Sequence, residues 1–440
     1  MWLKSDTTNW FLVLPQSAPW QEFQADVDAA RHWLQSQAAQ RWLLFEPDSY
    51  RCAVWLFALL AEDRQAVMPQ NQQQETLRLV AEEVEAALPA QIPERSSEQD
   101  VRPLRGPLTT PLTLFTSGSS GTPQAIQKSA RQLFNEVQTL EATFGERVGD
   151  AAVVTTISHQ HIYGLLFTLL WPICSGRCLV PQRIEYLEQW QLYHQQADNY
   201  LLVSSPAHLD RFTELEHLRE GSGDLRAVFS SGGPLAAAVP QRFRDAGLPA
   251  PIEVYGSTET GGIGWRQRNQ GEQAFQRFAG IKLTVDSDNL LQVQSPHLPG
   301  EQVYTTADKV ELLDANEFKV LGRADRIVKI AENRVSLAEL EHFCETLPWV
   351  RQAKCVQLHQ PRSALGLVVV LTTYGQQLLA SEGRLSLRRR LREHLQQRFD
   401  KVVLPRKFRY VEAIPCNSSG KTTYAMLQAL FNTTDAEGDV

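Results

Sequence analysis

Leu112-Thr113-Leu114-Phe115 runs without a break into Thr116-Ser117-Gly118-Ser119-Ser120-Gly121-Thr122-Pro123. A short apolar run of strand type gives way to small hydroxyl residues and glycines, closed by a proline. Such a turn exposes several backbone N–H groups in little space. Glycine lets an anion come close to the backbone, and the Thr and Ser hydroxyls add donors, so the composition suits a polyphosphate. Taken alone, a plain connection is the other reading of a Ser/Gly-rich turn. It is not a Walker loop, because no Gly-Lys-Ser/Thr follows at the required spacing.

Outward from that loop, residues 42–45, 152–154, 200–203 and 227–229 read as further buried strands. Residues 50–60, 77–88 and 133–144 carry apolar side chains at helix spacing. Strand and helix in alternation imply an α/β fold of layered subdomains with mostly parallel sheets. The stretch 88–111, rich in Pro, Ser and Arg, reads as a surface loop. From Phe275 onward, turn signals at 286–289 and 314–317 suggest a small β section.

After Asp325 the pattern becomes α+β. Leu337, Leu340, Cys344 and Leu347 share a helix face, 365–371 is a strand, and Leu387, Leu391, Leu395 and Phe399 mark a second helix. Phe408 and Tyr410 alternate as in a strand. The expected division is a large N-terminal domain over 1–324, a C-terminal domain over 325–431 and a polar tail over 432–440.

The chain has 440 residues, long enough for two or more domains, with 43% hydrophobic and 21% charged residues as in globular proteins. A net charge of -7 argues against a general nucleic-acid binder, which needs a basic surface to displace counterions. The first residues lack a signal-peptide pattern, no apolar stretch is long enough to span a bilayer, and six irregularly spaced cysteines make no disulfide framework. Cytoplasm is the expected location. Cys174 and Cys178 have no second pair at ligand spacing and read as buried thiols.

The stretch Phe115–Pro123 resembles the phosphate loop of the adenylate-forming superfamily, which includes acyl-CoA synthetases, peptide-synthetase adenylation domains and firefly luciferase. Further segments match that family in order. Ser230-Ser-Gly-Gly-Pro-Leu235 resembles its adenine-side loop, and Tyr255-Gly256-Ser257-Thr258-Glu259 its Tyr-Gly-x-Thr-Glu motif. Tyr304-Thr-Thr-Ala-Asp308, and Gly322-Arg323-Ala-Asp325 through Arg334-Val335, resemble the ribose-binding and hinge motifs. Pro415 to Gly420-Lys421 resembles the C-terminal lysine motif, so the likeness covers residues 40 to 430.

The resemblance implies ATP and Mg2+ as cofactors and a role for each match. Thr116, Ser117, Gly118, Ser119, Ser120 and Gly121 hold the β- and γ-phosphates; Thr258 contacts the α-phosphate; Glu259 holds Mg2+, a hard cation that prefers oxygen. Tyr255 stacks on adenine, with Gly232, Gly233, Gly256 and Ser257 beside it. Asp308 accepts from the ribose hydroxyls and Arg323 assists. Lys421, on a mobile C-terminal domain hinged at Asp325, bridges the reacting carboxylate and the α-phosphate, where its charge counts most in the transition state. Without these companions, Glu259 and Lys421 would read as solvated charges and Tyr255 as core.

Two positions depart from the family pattern. Gln124 stands where a lysine usually follows the loop proline, with Lys128 four residues on as a candidate substitute. Glu332 stands where a glycine usually borders the thiol's path. His159-Gln-His161-Ile-Tyr163-Gly164 matches the acyl-pocket segment, so His161, Tyr163 and Gly164 are candidate substrate residues. No carboxylate occupies 155–170 to pair with an ammonium, which favours an aryl or fatty acid over an amino acid. The thiol is then that of an acyl carrier protein or CoA. Arg388, Arg389, Arg390, Arg392 and Arg398 form a basic helix suited to an acidic carrier protein, or an ordinary solvated face. The expected activity is acid plus ATP to acyl-AMP, then transfer to a carrier protein. CoA as acceptor and a non-catalytic nucleotide binder are the alternatives.

Overall fold

The computed structural model describes all residues except 1–2, 15–16, 73, 96–101, 118–122, 197, 221–222, 270–273, 331–332, 359–363, 417–421 and 433–440. The chain divides into two compact units. The first holds the described residues up to Leu283 together with Val293–Tyr304; the second holds Thr284–Gln292 and the described residues from Thr305 onward. Asp325 lies within the second unit.

Two sheets organise the first unit. In one, Ala86–Ala87, Arg41–Leu43, Gln65–Met68 and Pro111–Ser117 are parallel neighbours, and Pro123–Ser129 pairs antiparallel at the end. In the other, Ala152–Thr155, Asn199–Ser204, Asp224–Ser230 and Ile252–Ser257 are parallel neighbours, continued antiparallel by Gly261–Gln267 and Phe275–Arg277. Helices cover these sheets, which is why strands such as 200–203 are apolar throughout instead of alternating. The helix Ala130–Val148 starts on a reciprocal cap: Ser129 accepts from the Gln132 N–H, and the Gln132 side chain accepts from the Ser129 N–H. It buries Phe144 against Phe229, Trp265 and Phe278, with ring centroids 5.0, 5.4 and 6.0 Å away.

Three local expectations are corrected. Cys178, expected as a buried thiol, is exposed, whereas Cys174 is buried. The helix expected over 77–88 is Gln74–Glu83, and Ala86–Ala87 joins the sheet beside Arg41–Leu43. Glu85 causes this: its carboxylate accepts from the Gln40 N–H at 2.7 Å and its own N–H donates to the Arg41 carbonyl at 2.9 Å. Within the expected loop 88–111, Leu104–Pro107 is a strand paired with Asn9–Leu12, a long-range partner that local composition does not reveal.

In the second unit, residues from Thr305 onward of the strand Val303–Leu312 form an antiparallel pair with Glu317–Arg323, around a turn in which Asp314 accepts from the N–H groups of Asn316 and Glu317. A hairpin, Ile327–Ile330 with Asn333–Ser336, leads to the helix Leu337–Glu345, capped by Ser336. Its buried Leu337, Leu340 and Cys344 share a core with Leu367, Leu387, Leu391 and Leu395. The sheet there is Val350–Leu358, Ala364–Leu371 and Lys407–Val411. The helical stretch Thr373–Leu395 is broken at Gly383, whose φ of 79° is left-handed. Among the described residues no helix is long and apolar enough to cross a membrane.

Candidate functional site

Every candidate segment of the first unit follows the carboxyl end of a parallel strand. Pro111–Ser117 leads to the glycine-rich loop, Ala152–Thr155 to His159–Gly164, Asp224–Ser230 to Gly232 and Gly233, and Ile252–Ser257 to Thr258 and Glu259. Open parallel sheets bind ligands at that edge, because the loops leaving it are free to vary while the strands hold their bases.

The turn after Ile252–Ser257 is tightly built. The register slips between Tyr255 and Gly256, placing Gly256 opposite Gly262. A Cβ on Gly256 would lie 2.3 Å from the Gly261 carbonyl oxygen, so only glycine fits. Ser257 and Thr260 close the turn between them: the Thr260 N–H donates to Ser257 Oγ at 3.2 Å, and the Ser257 N–H to Thr260 Oγ1 at 3.1 Å. Thr258 is buried and Glu259 half-buried, while the Tyr255 ring is half-buried with its centroid 5.5 Å from that of Phe275. Below, Glu253 binds Arg266 at 2.9 Å and Arg268 at 2.6 Å, anchoring the strand that carries the turn.

Gly232 and Gly233 are exposed, and Gly232 has a φ of 89°. A Cβ on Gly232 would meet nothing within 4 Å, and one on Gly233 only Pro206 Cγ at 3.9 Å. The backbone there faces open space, as a flat ligand laid on it requires. Ser231 Oγ donates to the Val254 carbonyl at 2.8 Å and ties this loop to the neighbouring strand.

Lys128 does not face solvent beside Gln124. It is 2% exposed, and its ammonium donates to the carbonyls of Glu259 at 2.6 Å and His297 at 3.1 Å. Burial pushes its pKa down, opposed by the charges of Glu136 and Glu259. Gln132 Nε2 also donates to the His297 carbonyl, and Glu136 accepts from the Gly262 N–H at 2.6 Å. Sequence reading missed Glu136, Gln132 and His297 as neighbours of the turn. The capping pattern Ser129-x-x-Gln132 was the available signal, since it places Lys128 just before a helix start and against its first turn.

In the acyl-pocket segment, His161 precedes a short helix, Ile162–Gly164, without a side-chain capping bond, and the chain winds on as a π-helix over Leu165–Leu170. Gly164 is obligatory: a Cβ there would lie 2.0 Å from the Ser158 carbonyl oxygen. Burial pushes the Tyr163 phenol's pKa well up, and its ring sits 4.7 Å from Phe167. The apolar run after it, Leu165 to Trp171, is interior packing around Phe144 and Phe229. His159 is buried, with Nε2 donating to the Glu46 carbonyl at 2.6 Å, and burial lowers its pKa.

In the second unit, Asp308 and Arg323 sit opposite each other in the antiparallel pair. The backbone of Asp325 lies in a short 3-10 turn, Ala324–Arg326. Thr116 and Ser117 end their strand, whereas Gly118, Ser119, Ser120, Gly121, Glu332 and Lys421 lie outside the described residues.

A layered α/β chain with glycine-bearing turns at the carboxyl edge of its parallel strands has the form of a nucleotide-binding enzyme. The family model described as AMP-binding enzyme matches residues 56–301, and the chain belongs to that family. It is 29% identical over 242 residues to a 4-coumarate–CoA ligase of Cereibacter sphaeroides, a match spanning 55% of this chain and 55% of that protein. To a 4-coumarate–CoA ligase of Rhodobacter capsulatus it is 28% identical over 307 residues, 70% of this chain and 73% of the other. The fold is that of ATP-bound MatB from Rhodopseudomonas palustris, with a TM-score of 0.72, 16% identity and coverage of 95% and 94%. O-succinylbenzoate coenzyme A synthetase from Bacillus subtilis, in complex with ATP and magnesium ion, gives a TM-score of 0.70, 15% identity and coverage of 92% and 93%.

Proposed function

We propose that this chain is an ATP-dependent, AMP-forming acid:thiol ligase. The carrying observation is the Tyr255–Glu259 turn, built so that only glycine fits at 256, in a chain of the AMP-binding family. The donor set of the first unit suits Mg·ATP: open backbone at Gly232 and Gly233 for a base, a half-buried aromatic ring at Tyr255 and a carboxylate at Glu259.

In this reading a carboxylate oxygen attacks the α-phosphorus, pyrophosphate leaves, and a thiolate then attacks the acyl carbon with AMP leaving. Both reactants are anionic, so positioning and charge neutralisation supply most of the catalysis. Tyr255 stacks on the base, Asp308 accepts from the ribose hydroxyls with Arg323 assisting, and Thr258 contacts the α-phosphate. The loop Thr116–Gly121 holds the leaving phosphates. Bound Mg2+, held by Glu259, neutralises phosphate charge. Lys421 stabilises the developing charge, with Asp325 as the hinge of its domain. His161, Tyr163 and Gly164 border the acid, taken to be an aryl or fatty acid.

CoA is the acceptor we favour, on the names of the two relatives above. An acyl carrier protein is the second reading, motivated by the arginines of the helix before Leu395, of which Arg389 is 73% exposed at its side chain. Several of those charges are used internally: Arg389 lies 3.8 Å from Glu393, Arg390 pairs with Glu382 at 2.7 Å, and Arg388 donates to the Arg406 carbonyl; Arg398, past the helix end at Leu395, pairs with Glu339 at 2.8 Å. Incubation with ATP, an acid panel and either CoA or a pantetheinylated carrier protein, followed by mass spectrometry, separates the two. A thioester on neither thiol removes the second half-reaction.

A further inference from the structure

We infer that Lys128 is a positioning residue for metal–nucleotide binding: its buried ammonium fixes the level of the Thr258–Glu259 turn. The inference rests on the reading above that Glu259 holds the divalent cation. An ammonium held at 2% exposure forfeits most of its hydration, at a cost of several kcal/mol unless its protons find acceptors. Here two acceptors are backbone carbonyls, and one belongs to Glu259 itself, at 2.6 Å. The strand after the glycine-rich loop is thereby pinned to the turn after Tyr255, although the two lie in different sheets of the first unit.

The surroundings leave that turn little slack. Glu136, whose charge supports the ammonium, holds the Gly262 N–H on the returning strand. His297 reaches the same strand through Nδ1 and the Gly262 carbonyl at 3.2 Å, and its own carbonyl takes Lys128 and Gln132. At Gly261, with a φ of 70°, a Cβ would lie 2.8 Å from both Glu136 Oε2 and His297 Cβ. Lys128 therefore bonds the one carbonyl in this cluster that belongs to a residue assigned to the metal. Its function differs from that of the lysine absent at position 124, since it acts through the turn and not on phosphate.

Titration calorimetry with ATP, in Mg2+ and separately in EDTA, tests this on the full chain. Lys128→Met should weaken binding in Mg2+ about tenfold, the loss of a charged-group hydrogen bond of ~1.4 kcal/mol, and weaken metal-free ATP binding by no more than about threefold, the share that Thr258 carries. Lys128→Gln keeps neutral N–H donors, should fold even if Lys128→Met does not, and should weaken Mg·ATP about threefold. Equal Mg2+-dependent affinity in wild type and the folded variants overturns the inference, as does an equal loss with and without metal. The proposed activity fails separately, through wild-type protein that turns over no acid, and Glu259→Gln shows whether the metal is held there at all: it should abolish the Mg2+-dependent part of binding.

Discussion

Asp308 and Arg323 face each other across the antiparallel pair, with Arg323 Nη1 3.7 Å from Asp308 Oδ1. Their register is fixed by the backbone ladder, so the carboxylate is presented by a rigid element and oriented by a neighbouring charge. Charge-assisted hydrogen bonds to a carboxylate contribute ~1.5–3 kcal/mol each, enough to matter in nucleotide affinity.

Asp308→Ala should therefore weaken ATP binding roughly tenfold or more and erase the preference for ATP over 2′-deoxy-ATP. Calorimetry with both nucleotides reads this. A preference that survives the substitution contradicts the ribose contact.

Gly256→Ala places a methyl group 2.3 Å from the Gly261 carbonyl oxygen, which requires backbone displacement in the turn. It should lower stability by about 1–3 kcal/mol and remove most nucleotide binding. Gly232→Ala meets no atom and bears only its positive φ, at a cost of about 1 kcal/mol. Chemical denaturation of the pair should rank them in that order.

His297 is fully buried, and burial holds its pKa below the ordinary histidine value. Lys128 pushes the same way, and Glu136 opposes. The folded state thus binds fewer protons than the unfolded chain as pH falls. The stability linked to this ring is complete above about pH 6.5 and is lost as pH drops through the lower folded value. Thermal melts between about pH 7 and pH 5 should fall more steeply for wild type than for His297→Asn. Identical slopes would assign the acid sensitivity to other groups.

Lys421→Ala should abolish pyrophosphate exchange and leave ATP affinity within about twofold, because its charge is needed where negative charge develops. An unchanged exchange rate removes Lys421 from the first half-reaction.

Five of the parallel strands were readable as short apolar runs, as at 112–115 and 227–229, whereas Gln65–Met68, Ala86–Ala87 and Ile252–Ser257 were not. The second unit's helix faces were readable from spacing, Leu337–Leu340–Cys344 and Leu387–Leu391–Leu395 all being interior, although Leu347 and Phe399 lie past the helix ends and are partly buried. Long-range pairing was not: Leu104–Pro107 finds its partner near the N-terminus, and no local pattern encodes that. The burial of Lys128, offered as a candidate substitute at the loop, was not legible for a related reason: it depends on the Glu259 carbonyl approaching from a distant turn. What the apolar run after Tyr163 packs against has no local signal either; Phe144 and Phe229, from distant elements, claim it.

The most direct measurement is ATP–pyrophosphate exchange with wild-type protein and a broad panel of aryl and fatty acids. The account predicts exchange that depends on both Mg2+ and at least one acid of that panel. Tight ATP binding with no exchange for any acid would contradict it.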